Sequence, residues 1–436
     1  MNAPRKPRRT RLSPQGARNS WCGPVNCSGE TAMQRRHFLQ TATAAALATP
    51  MTRLWAAPAA QGQPKFVLVF LRGAYDATNL LVPHANSFYY ESRPHIAVPR
   101  PGEGADASIA LNADWALHPA LRESLLPLWQ AGQLAFVPFA GTRDLTRSHF
   151  ETQDHIELGQ GPQTRNFNDG FLNRLVQQLG ARAQPMAFTA QLPLSLRGAQ
   201  RVPNLAIAQA GHTGIDDRQR ALIESMWNGS SQGAAVREGF AVHQTVADDM
   251  QASGWQAEMV AASRGAVAPK GFVAEAVRIG GLMRDSFNVG FIDVGGWDTH
   301  VNEATDNGAK GQLADKLAAL GQGLAGMAQA LGPAWQQTTV VVLSEFGRTF
   351  RENGNRGTDH GHGSVYWVLG GAVRGGRIAG EQIVQSPSTL NQNRDDPVLT
   401  DYRDLLGGLF QRQWGLRPSQ IQTIFPGARP VDLRLV

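Results

Sequence analysis

Two runs of this chain change character abruptly. FIDVGGWDTH (291–300) and VVVLSEFGRTF (340–350) each begin as a continuous apolar stretch and end in glycine and metal-ligand side chains. Apolar runs of this length, rich in Val, Ile and Phe, are expected to form strands buried on both faces. Polar residues crowded just past the carboxyl ends of such strands lie where open α/β sheets bind ligands. RGTDHGHGS (356–364) adds a third patch of the same kind. Together the three offer Asp298, His300, Glu345, Asp359, His360 and His362, a metal site in outline.

The rest of the chain supplies the frame. KFVLVFL (65–71), QLAFVPF (133–139) and VYWVLGG (365–371) are further strand candidates. Helical spacing marks 118–133, 168–180, 273–285 and 311–331, with a last helix within 400–416. In the first of these, Leu121, Leu125, Leu128 and Trp129 share one side, and His118, just before Pro119, takes a structural role. Strand, helix and strand alternating in this way predict a parallel sheet. Short strand-like runs at 185–190 and 202–208 follow the second helix, and the polar span 211–265 is expected to be a helical insertion or cap over the sheet.

The formal net charge of +6 would suggest a nucleic-acid partner. However, residues 1–60 hold nine of the 41 basic side chains and one of the 35 acidic ones, leaving 32 against 34. The basicity belongs to the leader, and nucleic-acid binding loses its main support. Both cysteines, Cys22 and Cys27, lie there too, so thiolate zinc sites and cysteine nucleophiles are excluded from the rest. Within the leader, Arg35-Arg36 followed by Phe38-Leu39, an apolar stretch at 42–48 and Ala57-Pro58-Ala59 resemble a twin-arginine signal peptide over 33–60. Its apolar stretch is too short for a transmembrane anchor, which needs about 20 residues. Residues 1–32 are expected to be an upstream extension or disordered. The expected location is the periplasm or outside the cell, reached in the folded state through the twin-arginine machinery.

Several residues outside the three patches could take part. Asp76, after the first strand and Gly73, is either a metal ligand or an Asx-turn residue. In GTRDLTRSHFETQDHIELG (141–159), Ser148 is well placed as a helix N-cap, with Glu151 completing a capping box. The same position, among unpaired N–H groups at the positive end of a helix dipole, suits a phosphate or a nucleophilic alkoxide. Thr146 is the neighbouring alternative, and His149, Asp154 and His155 are further ligand candidates. Arg147 and Arg348 could clamp an anionic substrate, although Arg348 could equally pair with Glu345 or Glu352. Carboxylates and imidazoles without thiolates suit Zn²⁺, Mn²⁺ or Mg²⁺, one ion or two.

The runs LRGAYDATN, RSHFETQD, GFIDVGGWDTH, SEFGRTFRENGNRGTDHGHG and WVLGGAVRGGRIAGE resemble the secreted bacterial domain-of-unknown-function family 1501, over nearly the whole chain after the leader. That family is similar to the alkaline phosphatase and sulfatase superfamily. The resemblance implies a three-layer α/β/α sandwich over 61–436, with a mostly parallel central sheet and metals at the strand ends. It implies Asp76, Asp298, His300 and Glu345 as metal ligands, His360 or His362 as the last metal-binding histidine, and Ser148 or Thr146 as nucleophile. Glu345 stands where the superfamily has Asp, and Phe346 where it usually has His. The expected activity is hydrolysis of phosphate or sulfate esters. The alternative is a non-catalytic periplasmic binding or assembly protein that keeps the fold and one metal.

Overall fold

The structure is a computed structural model and describes residues 62–161, 165–207, 225–227, 230, 269–305 and 307–436. The leader, with its twin-arginine motif, and nearly all of the expected insertion at 211–265 lie outside the described residues.

The main sheet contains β1 (Lys65–Leu71), β2 (Leu134–Gly141), β3 (Pro185–Ala187), β4 (Val289–Val294), β5 (Thr338–Ser344), β6 (Ser364–Leu369), β7 (Arg377–Ile378) and β8 (Thr400–Asp401). Their order is β7-β2-β6-β5-β1-β4-β3, with β8 paired to β2. β1 lies inside the sheet, parallel to both β4 and β5. Its side chains alternate between two cores. Phe66, Leu68 and Phe70 pack on one face, and Val67, Val69 and Leu71 on the other. This is why the run is apolar throughout rather than at every second residue.

Helices cover both faces. α1 (His149–Leu158), α2 (Phe171–Leu179), α5 (Tyr402–Trp414) and α6 (Pro418–Ile424) pack on the side of Phe66. α3 (Pro269–Asp285) and α4 (Gln312–Leu331) pack on the other. The architecture is therefore a three-layer α/β/α sandwich with a mostly parallel sheet. One strand departs from the parallel expectation: β6 runs antiparallel to both β5 and β2. The connection from β5 to β6, residues 345–363, contains no crossover helix, the usual means of a parallel return.

Two smaller expectations also change. The span 118–133 forms only a 3₁₀ turn, Pro119–Leu121, and a five-residue helix, Leu126–Gln130. Pro127 has no N–H to extend a helix through this region and is confined to its first turn. Of the expected strand at 202–208, the described residues 202–207 make a single bridge, Ala187 to Asn204, rather than a strand.

His118 has a structural role. It is fully buried, its Nδ1 accepts from Ala120 N at 3.0 Å and its Nε2 donates to Gly308 O at 2.8 Å. Burial pulls its pKa down to about 4, against the opposing pull of the Gly308 carbonyl and Asp76. Between about pH 6.5 and 4 the unfolded chain therefore binds a proton that the folded one refuses, and stability falls as pH falls through this window. The expected loss is up to about 3 kcal/mol. Urea unfolding at pH 6.5 and 4.5 should show a shallower pH dependence for His118→Asn than for the wild type. Equal slopes would contradict the assignment.

Candidate metal centre

The centre is built where β1, β2, β4 and β5 end, at one edge of the sheet. After β4, the loop Gly295-Gly296 leads into Trp297, whose buried indole donates to Val294 O at 3.1 Å and holds the turn closed. Gly73, at the end of β1, approaches this loop so closely that a Cβ would lie 2.8 Å from Asp298 N. Its φ of +118° is also one that favours glycine. Arg348 ties the loops together from beneath. Its fully buried guanidinium donates to Ala74 O, Gly73 O (2.7 Å), Trp297 O (3.4 Å) and Thr358 O (3.0 Å), and to Asp298 Oδ1.

On this frame three imidazoles and a carboxylate converge. His360 Nε2 lies 3.0 Å from His149 Nε2 and 3.0 Å from His300 Nε2. Asp298 Oδ1 is 3.0 Å from His300 Nε2, 3.4 Å from His360 Nε2 and 3.6 Å from His149 Nε2. Ligands at 2.0–2.1 Å from one four-coordinate ion stand about 3.3 Å apart, so these separations fit two overlapping triplets that could each share an ion, His360 and Asp298 with His149 and His360 and Asp298 with His300. Among the described residues, ligand atoms of His149, Asp298 and His360 all lie within 4.8 Å of one another.

Behind two of the imidazoles stand carboxylates. Glu345 Oε1 lies 2.7 Å from His149 Nδ1, and Asp359 Oδ1 is 3.1 Å from His300 Nδ1. A carboxylate on Nδ1 fixes the tautomer that leaves Nε2 free to ligate, and makes it more basic. The hydrogen bond that His149 donates to Glu345, opposed by burial, raises the His149 pKa. Burial, with the charges of His149 and Arg348, lowers that of His360. Asp298 is held ionised because Arg348, then His300 and His149, outweigh burial. Three imidazoles and one carboxylate, with no thiolate among them, are a donor set that fits Zn²⁺ or Mn²⁺.

The expected residues divide into those at this point and those drawn elsewhere. Asp298, His300 and His360 meet, with Asp359 behind His300. Glu345 is fully buried and stands one shell out, its Oε1 accepting also from Gly73 N (2.8 Å) and Gln153 Nε2 (2.9 Å). Asp76 is not in the cluster. Both its oxygens face Arg93, at 2.5 and 3.1 Å, and Oδ1 caps the short helix Ala77–Leu80. His362 is buried away from the centre, with its Nδ1 3.6 Å from Asp395. Arg147, with φ of +52°, turns its guanidinium to the same Asp395 at 3.0 Å. His155 pairs with Asp144 at 2.6 Å, and Thr146 bonds Asp144 as well. Ser148 is the N-cap of α1, but its hydroxyl makes no capping hydrogen bond, so the expected capping box does not form. His149, one residue on, is the α1 side chain that reaches the cluster. Phe346 packs its ring against His149 and His360, with centroids 4.9 and 5.2 Å away, and walls the cluster on one side.

The family model described as "Protein of unknown function (DUF1501)" matches residues 63–425. Among solved structures, the chain is similar to one described as a protein in the alkaline phosphatase superfamily from Vibrio parahaemolyticus. The two are 11% identical with a TM-score of 0.38, and the match covers 82% of this chain and 68% of that one. No curated protein matches. With the match running from ahead of β1 to beyond the last helix of the sandwich, the chain belongs to the DUF1501 family.

Proposed function

We propose that this protein is an exported, metal-dependent hydrolase of phosphate or sulfate esters, acting in the periplasm or outside the cell. The observation that carries the reading is the convergence of His149, His300, His360 and Asp298 beside the N-terminus of α1. When bound there, a divalent ion supplies Lewis acidity for the ester oxygens. Ser148 is the nucleophile in this reading. Its hydroxyl is not spent on capping, and it adjoins the ligand His149 at the positive end of a ten-residue helix. Glu345 and Asp359 hold the imidazoles in the ligating tautomer. The twin-arginine leader read in the sequence fits a protein exported with its metal already in place.

Ser148→Ala is expected to abolish hydrolysis of p-nitrophenyl phosphate or p-nitrophenyl sulfate, at least about a hundredfold, while retaining its metal. Hydrolysis that survives the substitution removes Ser148 from the mechanism.

The second reading, a binding or assembly protein with one structural metal, is favoured by Phe346 packed on two of the ligands. Saturable turnover of either ester by the wild-type protein decides against it.

A further inference from the structure

We propose that Lys316 provides the cationic contact for the anionic group of the ligand at this centre. The inference rests on the ester-hydrolase reading above and names the residue that would recognise the ester's charge.

A phosphate or sulfate ester needs a positive partner beyond the metal, and the arginines near the centre are already engaged. The guanidinium of Arg348 is fully buried against backbone carbonyls and Asp298. Arg147 is turned to Asp395, and Arg72 is held by Asp293, Glu157 and Gln153 at 2.8 Å each. Lys316 differs from all three. It is half-buried, and its ammonium forms no hydrogen bond or ion pair with another described residue.

The position of Lys316 follows from the way α4 begins. The first residue of that helix, Gln312, donates to the carbonyls of Val301 (3.2 Å) and Asn302 (3.1 Å), directly after the ligand His300. Leu313 N reaches Glu303 O at 3.3 Å. The start of α4 is thus stapled to the ligand loop. Lys316 is four residues on from Gln312, on the same helix face, and long helical side chains lean back towards the N-terminus. Its charged neighbours are Glu303, Arg348 and Asp298, the last of these a ligand. Glu303 is fully buried, and its carboxylate is held by Thr299 (2.8 Å) and Thr358 (3.0 Å) rather than by the lysine. A half-buried ammonium that forms no ion pair has surrendered part of its hydration, and an arriving oxyanion restores what it lost.

The test titrates orthophosphate and sulfate by calorimetry into the full-length wild-type protein, Lys316→Gln and Lys316→Arg. The metal content of each sample is read by mass spectrometry. Lys316→Gln is expected to weaken the better of the two anions about tenfold or more, the loss of one charge-assisted hydrogen bond, with metal content unchanged. Lys316→Arg is expected to recover part of that affinity. The proposal is overturned if Lys316→Gln binds the anion as the wild type does, if the wild type binds neither anion, or if the variant loses its metal along with the anion. Wild-type protein without metal would sink the hydrolase reading by itself. The dependence of anion affinity on Lys316, measured on that same protein, would still decide the lysine's role.

Discussion

The Asp298→Ala/His360→Ala double variant is expected to carry no divalent metal where the wild-type chain, purified from residue 61 onward, carries about one ion per chain. Both residues belong to each of the two overlapping triplets, one completed by His149 and the other by His300. Removing the pair leaves two imidazoles and no carboxylate to touch the ion. Structural sites of this ligand class lose most of their affinity well before that point. The expected count is one because the carboxylates that could hold a second ion are committed elsewhere. Asp76 is saturated by Arg93, and Glu345 by His149, Gly73 and Gln153. Mass spectrometry of both proteins after incubation with Zn²⁺ or Mn²⁺ checks this directly. Two ions per wild-type chain would require Asp76 or Glu345 to exchange partners, and no ion in either protein would leave a scaffold without a metal centre.

What could be read from the sequence follows from where each kind of information is stored. β1, β4 and β5 are buried on both faces, so their apolar runs mark them without help from distant residues. The crowding of ligand types after β4 and β5 likewise locates the centre at that sheet edge. The choice among those ligands is not local. Asp76 and Asp298 each follow a strand through a glycine turn, yet one faces Arg93 and the other faces three imidazoles. The partner that decides the matter for Asp76 lies 17 residues away, beyond two short helices, Ala77–Leu80 and Ser87–Ser92. His149 follows the N-cap Ser148, and nothing local marks it as a ligand. Its partner Glu345 is 196 residues distant. His360 and His362 share one short motif, but with a single glycine between them they turn to opposite sides of the loop, His360 to the centre and His362 to Asp395. The antiparallel β6 was hidden for a related reason. Its composition matches the parallel strands, and only the lack of a helix between 345 and 363 distinguishes it.

Asp76→Ala is expected to destabilise the fold by about 3–5 kcal/mol without lowering metal content. Asp76 and Arg93 are both fully buried. The carboxylate stays ionised because the charge and hydrogen bonds of Arg93 exceed the cost of burial. Arg93 also donates to Phe350 O at 2.7 Å, Thr349 O at 3.0 Å and Asn79 Oδ1 at 2.9 Å, so it cannot swing out to water. Truncating Asp76 therefore strands a charge inside the protein, the costliest way to break a buried pair. A double variant, Asp76→Leu/Arg93→Met, removes both charges and should recover much of the loss, since apolar replacements of a buried pair are often near neutral. Urea unfolding gives the stabilities, and metal analysis of the folded fraction gives the second readout. The two together separate the roles that position alone leaves equal for this residue. A scaffold Asp76 costs stability and spares the metal, whereas a ligand Asp76 would lose the metal with a modest change in the metal-free protein's midpoint. If the second pattern is found, the Arg93 pair is a resting arrangement that the bound ion replaces, and the centre gains its second site.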